Sequence, residues 1–130
     1  MILVDSSVWI DFFNGTDNAE TDKLNEILGL EEVVIGDLIL AEVLQGFRND
    51  TDYKAAKNVL TSLAVHDLLD KELAIKSANN FRKLRKKGIA VRKTADLIIA
   101  TYCIENKLPL LFTDKDFIPF VDNLRLKSAC

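Results

Sequence analysis

Two acidic residues stand shortly after apolar segments of the chain. Asp5 follows the run at residues 2–4, and Asp114 comes just after the run at residues 108–112. Both runs are typical of buried strands. In an open α/β sheet, ligands gather outside the carboxyl ends of the strands. If these two strands are neighbours, Asp5 and Asp114 face the same crevice.

Two further acidic residues lie in apolar helical sequence. Glu42 has apolar residues on both sides, and Asp96 begins an apolar run. A helix that is apolar all round is buried, and a buried carboxylate is costly unless it is paired or binds a metal. Carboxylate oxygens suit Mg²⁺ or Mn²⁺, and such an ion can activate water and stabilise charge on a phosphodiester. We therefore expect one divalent-cation site built from Asp5, Glu42, Asp96 and Asp114.

Each of these carboxylates also has a purely structural explanation. Asp5 can cap the helix that follows it, and Asp96 can be a first-turn residue favoured by the helix dipole. Asp114 can occupy a turn after a strand. Glu42 faces solvent if its helix lies at an edge of the domain. The combination favours a shared site, because two carboxylates lie at strand ends and two lie in apolar helices.

Strands and helices alternate along the whole chain. Apolar or β-branched runs predict strands at residues 2–4, 33–35, 64–66 and 108–112, with a fifth at 124–126. Helical periodicity, caps and glycine stops predict helices at about 8–13, 21–28, 38–47, 51–63, 70–87 and 95–106, with Asp37 and Thr94 among the caps. This alternation predicts an α/β domain whose parallel sheet is covered on both faces.

Length and composition exclude several classes of protein. With 130 residues, 48% of them hydrophobic, the chain predicts a single domain spanning residues 1–130. Its net charge of −3 excludes a globally basic nucleic-acid coat. Two cysteines and one histidine make a disulfide scaffold, a zinc site or a catalytic triad improbable. No signal peptide or membrane-spanning run is visible, so we expect a cytoplasmic protein with no membrane partner.

Four short segments in a fixed order resemble the PIN domain, and more narrowly the VapC toxins of toxin–antitoxin pairs. They are residues 4–10 (VDSSVWI), 40–43 (LAEV), 94–100 (TADLIIA) and 111–117 (LFTDKDF). The resemblance covers essentially the whole chain. It implies a three-layer α/β/α fold with sheet order 3-2-1-4-5. It also implies a Mg²⁺- or Mn²⁺-dependent endoribonuclease that leaves 5′-phosphate and 3′-hydroxyl ends.

The resemblance also assigns roles to residues. Asp5, Glu42, Asp96 and Asp114 match the family's acidic catalytic positions, and Asp116 matches a frequent fifth. The first three are expected to hold one metal ion, while Asp114, together with Asp116, completes a second site or orients water. Many relatives have an extra residue between the threonine and the first aspartate of the last motif, whereas Thr113 and Asp114 are adjacent here. The supporting hydroxyls implied by the family are those of Ser6 and Thr113.

A basic segment precedes Asp96 and suggests how an acidic protein holds RNA. Residues 81–93 contain seven basic side chains. A positive patch beside a metal pocket suits a phosphate backbone, and the alternative is the solvated face of an amphipathic helix. Arg92 and Lys93 are the preferred RNA-binding candidates because they lie outside the long helix. Arg85 is the third candidate.

The short helix at residues 8–13 carries three aromatic side chains, from Trp9, Phe12 and Phe13. This is more apolar surface than a short helix can bury within one small domain. By resemblance, these residues contact a VapB-type antitoxin or a second copy of the chain in a homodimer.

Two other functions are consistent with parts of the sequence. A phosphatase of haloacid dehalogenase type also begins with a strand and an aspartate. It requires a second aspartate two residues later, where Ser7 stands. A PIN-like module that only binds a partner is the second alternative. Intact carboxylates at all four positions argue against it, because nothing structural requires a buried acidic group.

Overall fold

Four short parallel strands form the centre of the protein. The computed structural model describes all residues, 1–130. The strands are β1 (Ile2–Val4), β2 (Val33–Gly36), β3 (Ala64–His66) and β4 (Leu110–Leu111), in the order β3-β2-β1-β4. All three strand pairs are parallel. The predicted α/β class and the adjacency of the first and fourth strands are confirmed.

Seven α-helices connect and flank these strands. They are α1 (Ser6–Phe13), α2 (Ala19–Ile27), α3 (Asp37–Gln45), α4 (Asp50–Thr61), α5 (Lys71–Lys86), α6 (Thr94–Glu105) and α7 (Ile118–Leu124), with a 3₁₀ turn at Lys115–Phe117. Helix α6 is buried on nearly all sides, and a buried hydrogen bond from Asn80 Nδ2 to Thr101 Oγ1 (3.0 Å) joins it to α5. No helix has both the length and the apolar character that crossing a membrane requires.

The predicted fifth strand at residues 124–126 is wrong. Leu124 ends α7, and Arg125 takes the left-handed conformation, with φ at 66°. Leu126 is apolar because it is buried in the core rather than because it belongs to a strand. The chain meets β4 only afterwards, through a single parallel bridge between Ser128 and Leu110. The observed strand order is therefore 3-2-1-4, and a single bridge takes the place of the expected fifth strand.

Two predicted helix caps are also displaced by one residue. The cap of α3 is Gly36 instead of Asp37, and that of α6 is Lys93 instead of Thr94. Gly36 is buried against Leu68, where an added Cβ would lie 2.5 Å from Leu68 Cδ1. Asp37 instead accepts hydrogen bonds on Oδ1 from the backbone N–H groups of Leu38 (2.8 Å) and Leu68 (3.2 Å).

Candidate active site

The ends of β1 and β4 place the first acidic group. Leu3 pairs with Leu110 and Val4 with Leu111, and the Asp5 N–H donates to the Leu111 carbonyl at 2.9 Å. Parallel neighbours end at the same edge of a sheet. Asp5 and the segment leading to Asp114 therefore share that edge, as the sequence predicts.

Asp5 is both a helix cap and a buried site residue, because its two oxygens have different roles. Oδ2 accepts from the N–H of Ser7 (3.1 Å) and from its hydroxyl (2.6 Å), which caps α1. Oδ1 is buried and has no hydrogen-bond partner. Burial raises the pKa of Asp5, even though the bonds from Ser7 oppose that change. One oxygen remains available for a ligand.

Ser7 carries a hydroxyl at the candidate site that the sequence did not single out. Its Oγ donates to Asp5 and accepts from the backbone N–H of Thr113 at 3.3 Å, so it joins the ends of β1 and β4. The signal was present, since a serine two residues after an aspartate commonly closes such a turn. Ser6, one of the two predicted hydroxyls, helps to stabilise the ionised form of Glu42. Thr113, the other residue predicted to supply a hydroxyl, contacts Ser7 through its backbone N–H.

Glu42 reaches the site from α3 and is less buried than its neighbours suggested. The side chain is half-buried and Ala41 beside it is exposed, so α3 is not buried on all sides. Nevertheless Oε1 is buried without a hydrogen-bond partner. Burial, followed by the negative charge of Asp5, raises the pKa of Glu42. These two carboxylates therefore lie close enough to repel each other.

Asp96 is held in the first turn of the buried helix α6 and is itself only 6% exposed. Burial raises its pKa to about 6 against the opposing charge of Lys93. The charges of Asp5, Asp114 and Glu42 contribute to the same rise in the pKa of Asp96. The helix dipole favours a carboxylate here, but desolvation and like charges outweigh it. The four carboxylates thus converge on one place.

Asp114 and Asp116 form the more exposed side of the site. The carboxylate oxygens of Asp96, Asp114 and Asp116 lie within 4.8 Å of one another. Asp114 Oδ1 accepts from the backbone N–H of Asp116 at 2.9 Å, and Lys93 Nζ contacts its Oδ2 at 3.2 Å. Partial burial raises the pKa of Asp114, but these contacts outweigh it, and the pKa is lowered overall.

The two preferred RNA-binding candidates are engaged by the carboxylates. Lys93 Nζ lies 3.2 Å from Asp114 and 3.8 Å from Asp96, and Arg92 Nη2 lies 2.9 Å from Asp116 Oδ1. Both cations are at the site, as the sequence suggested, and here they neutralise acidic groups. The third candidate, Arg85, lies away from these pairs, with its guanidinium 5.5 Å from the centre of the Phe81 ring.

The donor set fits a hard divalent cation. Three converging carboxylates each keep one buried oxygen without a hydrogen bond, namely Asp5 Oδ1, Glu42 Oε1 and Asp96 Oδ2. Buried acceptors are normally paired, so three of them in one place need a positive partner. Lys93 approaches only Asp96 and Asp114. Oxygen ligands of this kind suit Mg²⁺ or Mn²⁺.

The aromatic side chains of α1 divide into two groups. Trp9 has no exposed surface, so it belongs to the core, and the prediction that it contacts a partner is not supported for this residue. Phe12 and Phe13 are half-buried, with Phe13 packed edge-on against Phe47 at 5.7 Å. The neighbouring Ile10 is 43% exposed. The outer face of α1 therefore remains apolar without Trp9.

Comparison with known families agrees with this arrangement of fold and carboxylates. The model of the PIN domain matches residues 2–120, and the chain belongs to that family. More particularly, it is similar to VapC ribonucleases. It is 30% identical to VapC ribonuclease Mb1587 of Mycobacterium bovis and, equally, to ribonuclease VapC11 of Mycobacterium tuberculosis, in each case over 98% of both chains. This membership decides against the haloacid dehalogenase alternative.

Solved structures support the same fold. A VapBC2 complex from Rickettsia felis bound to a promoter DNA fragment matches with a TM-score of 0.77, at 18% identity over 98% of this chain and 97% of that one. VapBC-1 from nontypeable Haemophilus influenzae matches with a TM-score of 0.74, at 18% identity over 98% and 96%. VapC20 of Mycobacterium tuberculosis, a toxin that cleaves the sarcin–ricin loop, matches with a TM-score of 0.66, at 17% identity over 91% and 93%.

Proposed function

We propose that the protein is a Mg²⁺- or Mn²⁺-dependent endoribonuclease and the toxin of a toxin–antitoxin pair. The observation that carries the proposal is the grouping of Asp5, Glu42 and Asp96. Each has a buried carboxylate oxygen that accepts no hydrogen bond, and the three lie close enough for the charge of one to raise the pKa of another. Membership of the PIN family and 30% identity to VapC ribonucleases support RNA as the substrate. A divalent ion, when bound, lowers the pKa of water and stabilises charge on a phosphodiester.

The chain's own residues would divide the work between holding the ion and orienting the reactants. Asp5, Glu42 and Asp96 would hold the ion, because each has a buried oxygen that accepts no hydrogen bond. Asp114 stays ionised because its pKa is lowered, so it is suited to orient an attacking water by accepting a hydrogen bond from it. Asp116, paired with Arg92, supports this side of the site.

Lys93 and Arg92 would exchange partners when RNA and the ion bind. In their absence these cations balance part of the charge of Asp96, Asp114 and Asp116. With the carboxylates neutralised by a bound ion, Lys93 and Arg92 would be free to contact the phosphates flanking the scissile bond. Arg92 and Lys93 can therefore contact carboxylates in the absence of RNA and still bind RNA.

The direct test is cleavage of total RNA by the purified protein with EDTA, Mg²⁺ or Mn²⁺, followed by mapping of the cut ends. We expect metal-dependent cleavage with 5′-phosphate ends, abolished by Asp5→Asn or Asp96→Asn in proteins that remain folded. Asp122→Asn, an exposed carboxylate on α7, is the matched control and should cleave normally. Cleavage by either site variant at the wild-type rate would refute the assignment. Calorimetric binding of Mn²⁺ without any cleavage would favour the partner-binding module.

We also propose a VapB-type antitoxin as the partner and a homodimer as the assembly. The complexes of Rickettsia felis and Haemophilus influenzae support the first proposal at the level of fold. On this chain, the half-buried rings of Phe12 and Phe13 and the exposed Ile10 offer an apolar face on α1. Co-expression with the product of an adjacent small gene should yield a complex that Phe12→Glu weakens. Sedimentation of the chain alone tests the dimer.

A further inference from the structure

A second charged surface lies outside the carboxylate site and is not used by the mechanism above. Two concavities adjoin each other at Leu124 and Arg125. Six basic side chains line them and no carboxylate does, although the chain carries a net charge of −3. We call this surface the basic groove, and its cations are Lys83, Lys86, Lys87, Lys107, Arg125 and Lys127.

The cations of the basic groove are free. All six are exposed, and none forms an ion pair, in contrast to Arg92 and Lys93 beside the carboxylates. One contact involves a neutral group, from Lys87 Nζ to Asn123 Oδ1 at 3.4 Å. Unpaired cations gathered without a counter-charge raise the local potential and attract anions.

The helix dipole explains only part of this cluster. Lys83 and Lys86 lie in the last turn of α5, where cations are favoured. Arg125 follows α7, Lys107 follows α6, and Lys127 belongs to the C-terminal segment, so three other parts of the chain bring cations to the same surface.

Backbone conformation gives an independent indication. Lys107 and Arg125 are the two non-glycine residues of the chain with positive φ, at 53° and 66°. Both stand just after a helix, where glycine or asparagine normally takes the left-handed conformation because a side chain strains it. Both instead carry a positive charge, and both line the basic groove. The strained positions therefore coincide with the charged surface.

The basic groove lies within reach of the carboxylate site. A small cleft is lined by Arg92, Lys93, Asp96, Asp116 and Pro119, and Pro119 lies in the first turn of α7. The same helix ends at Leu124 in the basic groove. Its 7 residues span about 10 Å at about 1.5 Å per residue. A single strand of several nucleotides can therefore occupy both places.

We propose that the basic groove binds the phosphate backbone of the RNA substrate beyond the scissile bond. The proposal rests on the function proposed above. It adds that the RNA substrate is held by its backbone at a second place, away from the carboxylates. Contacts of this kind depend on charge rather than on base identity, and their signature is a steep dependence of affinity on salt.

The test is binding of labelled single-stranded RNAs of about 4 and about 16 nucleotides to the full chain in EDTA, which prevents metal-dependent cleavage. The groove variant is Lys83→Gln/Lys86→Gln/Lys87→Gln. Its matched control is Lys54→Gln/Lys57→Gln/Lys71→Gln, which removes three exposed lysines that line neither concavity. Both variants change the net charge equally.

We expect the groove variant to bind the longer RNA on the order of tenfold more weakly at about 0.1 M salt, with a smaller loss for the shorter RNA. The slope of log affinity against log salt should fall by about 2, because each lost phosphate contact removes about 0.7. The control should match the wild type. Equal behaviour of the groove variant and the control, or no RNA binding by the wild type, overturns the proposal.

A second variant separates binding from folding. Arg125→Gly removes a groove cation and also relieves the left-handed strain, so its thermal midpoint should hold or rise while its RNA affinity falls. Undiminished affinity contradicts the proposal. Failure of the basic groove is distinguishable from failure of the proposed function, because a ribonuclease without this contact still cleaves RNA when Mn²⁺ is added.

Discussion

The pKa of Asp96 makes a quantitative prediction about stability without metal. Burial and the neighbouring carboxylates raise this pKa from 3.8 to about 6. The folded protein therefore binds the proton of Asp96 more tightly than the unfolded chain does. As pH rises from about 4 to about 6, the unfolded chain ionises first and the free energy of unfolding falls. At 1.36 kcal/mol per pKa unit, the loss reaches about 3 kcal/mol.

Asp96→Asn removes this loss. In EDTA at pH 7.5 we expect the variant to be more stable than the wild type by up to about 3 kcal/mol, and equally stable near pH 4, where Asp96 is protonated. Urea unfolding followed by the fluorescence of Trp9, the sole tryptophan and fully buried, measures both proteins across this range. Asp122→Asn, on the exposed side of α7, should show no such pH-dependent difference from the wild type.

A divalent ion should narrow the difference in stability between Asp96→Asn and the wild type. At a concentration one hundred times its Kd, Mn²⁺ stabilises the wild type by about 2.7 kcal/mol, which nearly cancels the loss of about 3 kcal/mol at Asp96. Asp96→Asn loses one ligand charge and should gain less from the same ion. A stability difference between Asp96→Asn and the wild type that stays constant between pH 4 and 7.5 would refute the electrostatic reasoning.

Three other substitutions test contacts within the site and its scaffold. Ser7→Ala removes the 2.6 Å bond to Asp5, so we expect slower cleavage and an unfolding free energy lowered by about 1–3 kcal/mol, measured by RNA cleavage and urea unfolding. Gly36→Ala places a Cβ against the buried Leu68, and urea unfolding should show a loss of about 1–3 kcal/mol. Lys93→Gln removes the cation that opposes the raised pKa of Asp96, so a carboxyl NMR titration should place that pKa above the wild-type value.

The sequence predicted those parts of the fold and site that depend on local pattern. The apolar runs before Asp5 and Asp114 identified the strands, and the sheet order implied by the resemblance to the PIN domain placed both acids at one sheet edge. Helix α6 was recognisable because its apolar residues cover its whole surface, which also marked Asp96 as a buried acid.

What the sequence did not predict depends on contacts between distant residues. The pairing of Arg92 with Asp116 and of Lys93 with Asp114 joins residues 24 and 21 positions apart. No pattern within one helix or strand contains that information. Trp9 was misassigned for the same reason, since a large side chain on a short helix is buried or exposed according to what other elements place beside it.

The position of the acidic site also explains how the fold tolerates it. Asp5 follows directly after β1 and Asp96 lies in α6, and the apolar residues of both elements are almost entirely buried. Burying a side chain such as Leu97, Ile98 or Ile99 contributes about 1.5–3 kcal/mol each, so α6 alone outweighs the cost of about 3 kcal/mol that desolvation and like charges impose at Asp96. The carboxylates therefore stay together without a metal ion, and the binding site is formed before the ion arrives. A site built on exposed loops would relieve the same repulsion by moving apart.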